Sequence, residues 1–105
     1  MWLIYLAWFF GGGFLANAIP HFVNGISGRA FQSPFAKPPG KGLSSPVVNV
    51  GWGMANAVAA WLLLTRVGAF NLTSPCDALA FGLGFLLCSL LLAHYFGRYY
   101  GGGLK

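Results

Sequence analysis

The chain has 105 residues, of which 57% are hydrophobic and only 7% are charged. Soluble domains carry roughly a quarter charged residues, so the composition excludes an ordinary soluble fold of this size. The net charge of +5 does not indicate nucleic-acid binding, because the cations are predicted in connections and at helix ends, where membrane proteins place them. The sequence predicts one membrane-embedded domain over residues 1–105.

Three apolar stretches have nearly the length of about 20 residues that crosses the hydrocarbon core of a bilayer. They predict transmembrane helices over about residues 2–20, 46–65 and 75–96. The first stretch lacks the N-terminal Lys or Arg of a secretory signal, so it is interpreted as a membrane helix. The fold class is therefore all-α, with three transmembrane helices.

The predicted helix boundaries rest on proline and serine. Ser45 followed by Pro46 is typical of a helix start, since serine caps the first turn and proline suits the first helical position. Pro20 is compatible with the end of the first helix or with a kink followed by one more turn, because Asn24 and Gly25 form a good helix stop. Both alternatives stay open.

A long connection, rich in Gly, Pro and Ser, is predicted between the first two helices, over residues 21–46. Connections of this length are often functional or disordered. The interleaved Phe22, Phe31 and Phe35 indicate that this one packs on a surface, either the lipid headgroup layer or a partner.

Orientation follows from the cations. Three spans place five of them on one face, and this predicts a cytoplasmic connection and C-terminus with the N-terminus outside. Those five are Arg29, Lys37, Lys41, Arg98 and Lys105. The first four are also predicted to contact lipid headgroups. The aromatic residues near the helix ends are interpreted as interface anchors: Trp2, Tyr5, Trp8, Tyr95, Phe96, Tyr99 and Tyr100.

Small residues recur four positions apart in all three helices, a spacing that lets helix backbones approach closely. The pattern predicts packing within the bundle or contact with another subunit. The runs are Gly12 with Ala16, Gly51 with Ala55 and Ala59, Gly53 with Ala57, and Ala80 with Gly84 and Cys88.

Five polar side chains fall inside the predicted spans, near the cytoplasmic side: Asn17, His21, Asn49, Asn56 and His94. Helical spacing places Asn17 with His21, and Asn49 with Asn56, on shared faces, which predicts an interhelical hydrogen-bond cluster. The alternative is a binding site for a headgroup, quinone or pigment, because polar groups inside membranes are often functional.

His21 and His94 are predicted at similar depth on different helices, as haem or chlorophyll ligation would require. Neither Cys nor carboxylate is predicted nearby to complete a metal site. We therefore expect no metal and no cofactor, with a pigment or haem held by the two histidines as the alternative.

Catalysis is not expected. Asp77 is the one acidic residue, so paired-carboxylate chemistry is excluded, and a triad would have to draw on Asp77 from the opposite membrane face. The glycine-rich segments lack the spacing and the preceding strand of a phosphate-binding loop.

Three segments within residues 17–52 are distinctive: Ile-Pro-His-Phe-Val-Asn-Gly-Ile-Ser-Gly-Arg, Ser-Pro-Phe-Ala-Lys-Pro-Pro-Gly-Lys-Gly-Leu-Ser-Ser-Pro and Val-Asn-Val-Gly-Trp-Gly. In these segments the chain resembles small bacterial three-helix membrane proteins. The resemblance implies the bacterial inner membrane as the setting. It carries over no functional residues, since no function is assigned to that family.

The sequence favours a non-catalytic accessory subunit of a larger membrane complex, with lipids and other membrane subunits as partners. A homo-oligomeric carrier or binder of lipid or quinone, with the asparagines and histidines lining a site between protomers, is the alternative. A pigment or haem protein is the third hypothesis.

Overall fold

The structure, a computed structural model, describes residues 2–100 and consists of three helices with one short strand pair. Each helix is long and apolar enough to cross a membrane. Met1 and Lys105, whose sides of the membrane were predicted, lie outside the described residues. In chain order the elements are α1 (Trp2–Ile26), β1 (Phe31–Gln32), β2 (Leu43–Ser44), α2 (Pro46–Thr65) and α3 (Pro75–Tyr100).

Helix α1 lies at the centre. It packs against both α2 and α3, whereas α2 and α3 barely touch each other over the described residues. Glycines make the crossing of α1 with α3 close. Gly12 meets the α3 backbone at Phe81, and Gly84 meets the α1 backbone at Phe9, so a side chain at either position would overlap the other helix. Small residues at such crossings are expected, because lipid supplies no hydrophobic force that drives helices together.

The first helix continues through Pro20 to Ile26, beyond the boundary predicted at residue 20. Proline has no N–H to donate within the helix and normally kinks or ends it. Here the following turn is fixed from outside, because His21 hydrogen-bonds Asn49 of α2 and Gly25 packs closely on the α2 backbone. Tertiary contact therefore outweighs the local preference to stop.

Gly28, and not the predicted Asn24–Gly25 pair, ends α1. Its φ of 75° lies in the left-handed region that glycine adopts without strain. The Gly28 N–H donates to Gly25 O at 3.1 Å and the Arg29 N–H donates to Asn24 O at 2.9 Å. These two bonds form a Schellman motif, which satisfies carbonyls that the helix leaves unpaired.

The long loop predicted over residues 21–46 is not supported, because residues 21–26 belong to α1. The connection covers residues 27–45, and β1 and β2 pair antiparallel inside it, with Phe31 opposite Ser44. Because α1 runs further than predicted, fewer residues remain in the connection. The two helices also lie close beside each other. Phe31 is buried, whereas Phe35 is exposed and touches Trp52 edge-on at 5.2 Å between ring centroids.

Both ends of α3 are held by contacts with neighbouring segments. At its start, the buried Asp77 carboxylate accepts from the Asn71 N–H at 3.0 Å. At its end, the helix passes the predicted boundary at residue 96 and reaches Tyr100, whose ring stacks on Phe31 with centroids 5.5 Å apart.

The interpretation of Trp8 as an interface anchor is wrong. Its side chain is buried, its indole N–H donates to Val67 O at 2.9 Å, and its ring meets Phe70 edge-on at 5.2 Å. Trp8 therefore ties α1 to the turn between α2 and α3 instead of facing lipid.

Candidate functional site

Two polar pairs join α1 to α2. Asn17 Nδ2 donates to Asn56 Oδ1 at 3.0 Å, and His21 Nδ1 lies 2.8 Å from Asn49 Oδ1. The helices run antiparallel, so the residue nearer the end of α1 meets the residue nearer the start of α2. Four of the five predicted polar residues thus come together, and they do so within one chain.

Asn49 is fully buried, and both Nδ2 and Oδ1 of its side chain are hydrogen-bonded. Its Nδ2 lies 3.1 to 3.2 Å from the backbone carbonyls of Phe31, Ser44 and Ser45. Because the amide nitrogen faces these carbonyls, Oδ1 is the atom that faces His21 and accepts its proton. The neutral imidazole therefore carries its hydrogen on Nδ1 and leaves Nε2 as an acceptor.

His21 is buried among aromatic rings. Phe31, Trp52 and Phe96 lie edge-on to the imidazole, with centroids 5.4, 6.4 and 6.3 Å away. The histidine also lines a cavity of about 400 Å³. Over the described residues Nε2 makes no hydrogen bond, so this cavity presents an acceptor in an aromatic setting.

We call this space the polar cavity, and Gln32 of β1 supplies its second polar group. Gln32 is buried, and its Oε1 accepts from the Tyr100 hydroxyl. The amide nitrogen remains as a donor, since the described residues offer it no partner. Tyr95 also lines the cavity and donates its hydroxyl to Gly40 O at 2.6 Å. The connection therefore forms one wall and α3 another.

A second space, the apolar cavity, also measures about 400 Å³. Asn17 and Trp52 line both cavities, so the two adjoin, and together they form the lateral groove. The groove lies over α1 and opens between α2 and α3, the two helices that barely touch. The remaining lining of the apolar cavity is largely aromatic and aliphatic: Phe9, Phe10, Gly13, Phe14, Asn56, Gly84, Leu87, Cys88 and Leu91.

His94 lies apart from this arrangement. It is exposed on α3, where its Nε2 lies 3.4 Å from the Arg98 guanidinium. It lines neither cavity and has no described contact with His21. Histidine, cysteine and acidic side chains form no group of three or more over residues 2–100. The structure therefore favours His21, and not His94, as the histidine that would contact a ligand.

The four cations predicted at the headgroups, Arg29, Lys37, Lys41 and Arg98, are all exposed at the end of the bundle that carries the connection. Arg29 Nε also donates to Asn24 Oδ1 at 2.9 Å. None of the four lines either cavity of the lateral groove.

Sequence reasoning missed Gln32, Trp52 and Tyr95 as lining residues of the polar cavity. Gln32 lies in a segment without helical periodicity, so no spacing rule associates it with His21 on α1. Trp52 offered a partial signal, because it lies four residues before Asn56 and therefore on a neighbouring part of the same helix face.

Comparison of the chain with known proteins found no matching family model, no matching curated protein and no matching solved structure. The resemblance to small bacterial membrane proteins gains no support from these comparisons.

Proposed function

We propose that the chain is a non-catalytic membrane protein that binds a neutral amphiphile, taken up from the bilayer into the lateral groove. The observation that carries this proposal is that the polar cavity and the apolar cavity adjoin at Asn17 and Trp52. A molecule with a polar head and an apolar tail matches this division. With the helices in a bilayer, the opening between α2 and α3 faces the lipid, in which such molecules dissolve.

The chemistry of the lining favours a neutral head. Over the described residues no charged side chain lines either cavity. Burying an ion without a counter-ion is costly, whereas a neutral polar group needs only hydrogen-bond partners. His21 and Gln32 supply such partners. The tail would contact phenylalanines and leucines of the apolar cavity, in line with the mostly apolar lining of small-molecule sites.

Native mass spectrometry tests the proposal. Protein extracted briefly in mild detergent is expected to carry about one neutral amphiphile per chain, which organic extraction then releases for identification. Gly13→Leu should remove it, because Gly13 lines the apolar cavity and a Cβ there meets Cys88 Cβ at an ordinary 3.7 Å. The Cβ therefore fits beside α3, and we expect the rest of the leucine side chain to occupy the groove.

Gly82→Leu is the matched control. A Cβ at Gly82 has no described atom within 4 Å, and this residue does not line the groove. The control protein should retain the amphiphile at the unaltered ratio. Equal retention by Gly13→Leu and Gly82→Leu proteins would contradict the proposal.

A role as an accessory subunit is the second candidate, and one observation favours it. Gly51 and Ala55 of α2 are exposed, and a Cβ at Gly51 would have no described atom within 4 Å. This small-residue face is not used by the bundle, although such faces commonly pack against another helix. Gly51→Leu should then lower the mass of the natively extracted assembly while the monomer still inserts. An unchanged assembly mass would exclude this face as a contact with another subunit.

For the setting, we propose the bacterial inner membrane, with the connection cytoplasmic and the turn between α2 and α3 outside. The exposed Arg29, Lys37, Lys41 and Arg98 at one end support this orientation. At the other end, Arg66 lies over the Trp61 ring at 5.2 Å, and Asp77 offsets its charge.

A further inference from the structure

Resting on the proposed function, we infer that the head of the bound amphiphile is a hydroxylated aromatic ring, as in a quinol. Its hydroxyl donates to Nε2 of His21 and accepts from Nε2 of Gln32. The inference names the ligand class of the polar cavity and the two atoms that recognise it.

The hydroxyl follows from the hydrogen-bond inventory. Asn49 Oδ1 lies 2.8 Å from His21 Nδ1 and accepts its hydrogen, which leaves Nε2 of the neutral ring as an acceptor only. The Tyr100 hydroxyl occupies Gln32 Oε1, which leaves the Gln32 amide nitrogen as a donor only. A hydroxyl both donates and accepts, so it satisfies both groups. A ketone or an ether oxygen can serve Gln32 but leaves His21 without a donor.

The ring follows from the walls. Trp52, Tyr95 and Phe96 line the polar cavity. Phe31 does not line the cavity but contacts the Phe96 ring, with centroids 4.6 Å apart. Aromatic rings in edge-on or offset contact are stabilised beyond the gain from simple burial. A flat head therefore gains more from these walls than a branched aliphatic alcohol of equal volume.

Binding of matched ligands tests the inference. The protein, in nanodiscs of phosphatidylcholine under anaerobic conditions, is titrated with a benzoquinol that carries a decyl tail and with the dimethyl ether of the same molecule. Tryptophan fluorescence reports binding. The quinol should bind about tenfold more tightly, since the ether cannot donate to His21. Equal affinity would overturn the inference, and this comparison uses the unaltered protein.

His21→Asn removes the recognising atom selectively. The asparagine amide can take the place of Nδ1 toward Asn49, but no atom remains at the position of Nε2. The variant should bind quinol and ether with equal affinity, whereas His94→Asn, the same change at the exposed histidine, should keep the tenfold preference. A preference that survives in His21→Asn protein would overturn the assignment.

Two further ligands separate this inference from the proposed function. A monoacylglycerol has hydroxyls without a ring, and decylbenzene has a ring without a hydroxyl. Tighter binding of either than of the quinol would overturn the hydroxylated ring and leave amphiphile binding intact. If no ligand saturates, and Gly13→Leu changes no titration, then both the inference and the proposed function fail.

Discussion

Asn49 Oδ1 lies 2.8 Å from His21 Nδ1, and this bond joins the end of α1 to the start of α2. The same asparagine donates to the carbonyl of Phe31 in β1 and to that of Ser44 in β2. One buried side chain therefore positions both the imidazole and the strand pair that form walls of the polar cavity.

Asn49→Ala should be far more destabilising than Asn56→Ala. The first change leaves the buried His21 N–H without its acceptor and removes the amide donor from the carbonyls of Phe31 and Ser44, which costs about 3 kcal/mol of unfolding free energy. Asn56 has one interhelical bond, to Asn17, and its loss should cost about 0.6 kcal/mol, the mean for such bonds in membranes. Steric-trap unfolding in bicelles measures both. Similar losses would show that Asn49 does not organise the connection.

Gly84→Ala should weaken the contact between α1 and α3. A Cβ at Gly84 would overlap the carbonyl oxygen of Phe9, and backbone atoms cannot move aside cheaply. We expect a loss of about 2 kcal/mol in unfolding free energy, as for other overpacked sites. Gly82→Ala is the control, because open space surrounds Gly82. If both variants have the same unfolding free energy as the unaltered protein, α1 and α3 do not cross closely at Gly84.

Tyr95→Phe should loosen the connection. The Tyr95 hydroxyl donates to Gly40 O at 2.6 Å, next to the exposed Lys41. Loss of about 1 kcal/mol raises the open population about fivefold, and limited proteolysis follows that population when opening is fast. Trypsin cleavage after Lys41, followed by mass spectrometry, should accelerate by this factor. Tyr5→Phe, at the opposite end of the bundle from Tyr95, should leave the cleavage rate unchanged. Equal rates in both variants and the unaltered protein would contradict the role of the Tyr95–Gly40 bond.

Cysteine labelling should establish the orientation. Cys76 is exposed at the start of α3, so an impermeant maleimide should label it in intact cells. In a protein with Cys76→Ser, a new cysteine from Lys41→Cys should react only after the cells are opened. The reverse pattern would invert the proposed orientation. Cys88, inside α3 and less exposed, is changed to alanine in both proteins.

The sequence was sufficient to predict α2, whose observed bounds are Pro46 and Thr65. The Ser45 side chain caps the helix by accepting from the Val48 N–H at 3.2 Å, and proline follows it. Such signals are local, so they can be read from neighbouring residues. The pairing of α1 and α2 polar residues was also accessible, because helical spacing places them on shared faces.

The ends of α1 and α3 could not be predicted, because distant residues determine them. Pro20 and Gly97 are poor helix formers. Nevertheless, α1 continues because His21 hydrogen-bonds Asn49, and α3 continues to Tyr100, whose hydroxyl donates to Gln32. His94 was grouped with His21 on depth alone. Depth does not determine which way a side chain faces around its helix.

The polar pairs also constrain the order in which the helices assemble during synthesis. Within residues 2–100, the side chains of Asn17 and His21 hydrogen-bond to α2 and to no residue of their own helix. If the three helices span a bilayer, as proposed, α1 carries two unsatisfied polar groups into hydrocarbon until α2 enters, which disfavours its release as a lone span. We therefore expect α1 to remain at the insertion machinery until α2 arrives, and α3 to join a hairpin that is already formed.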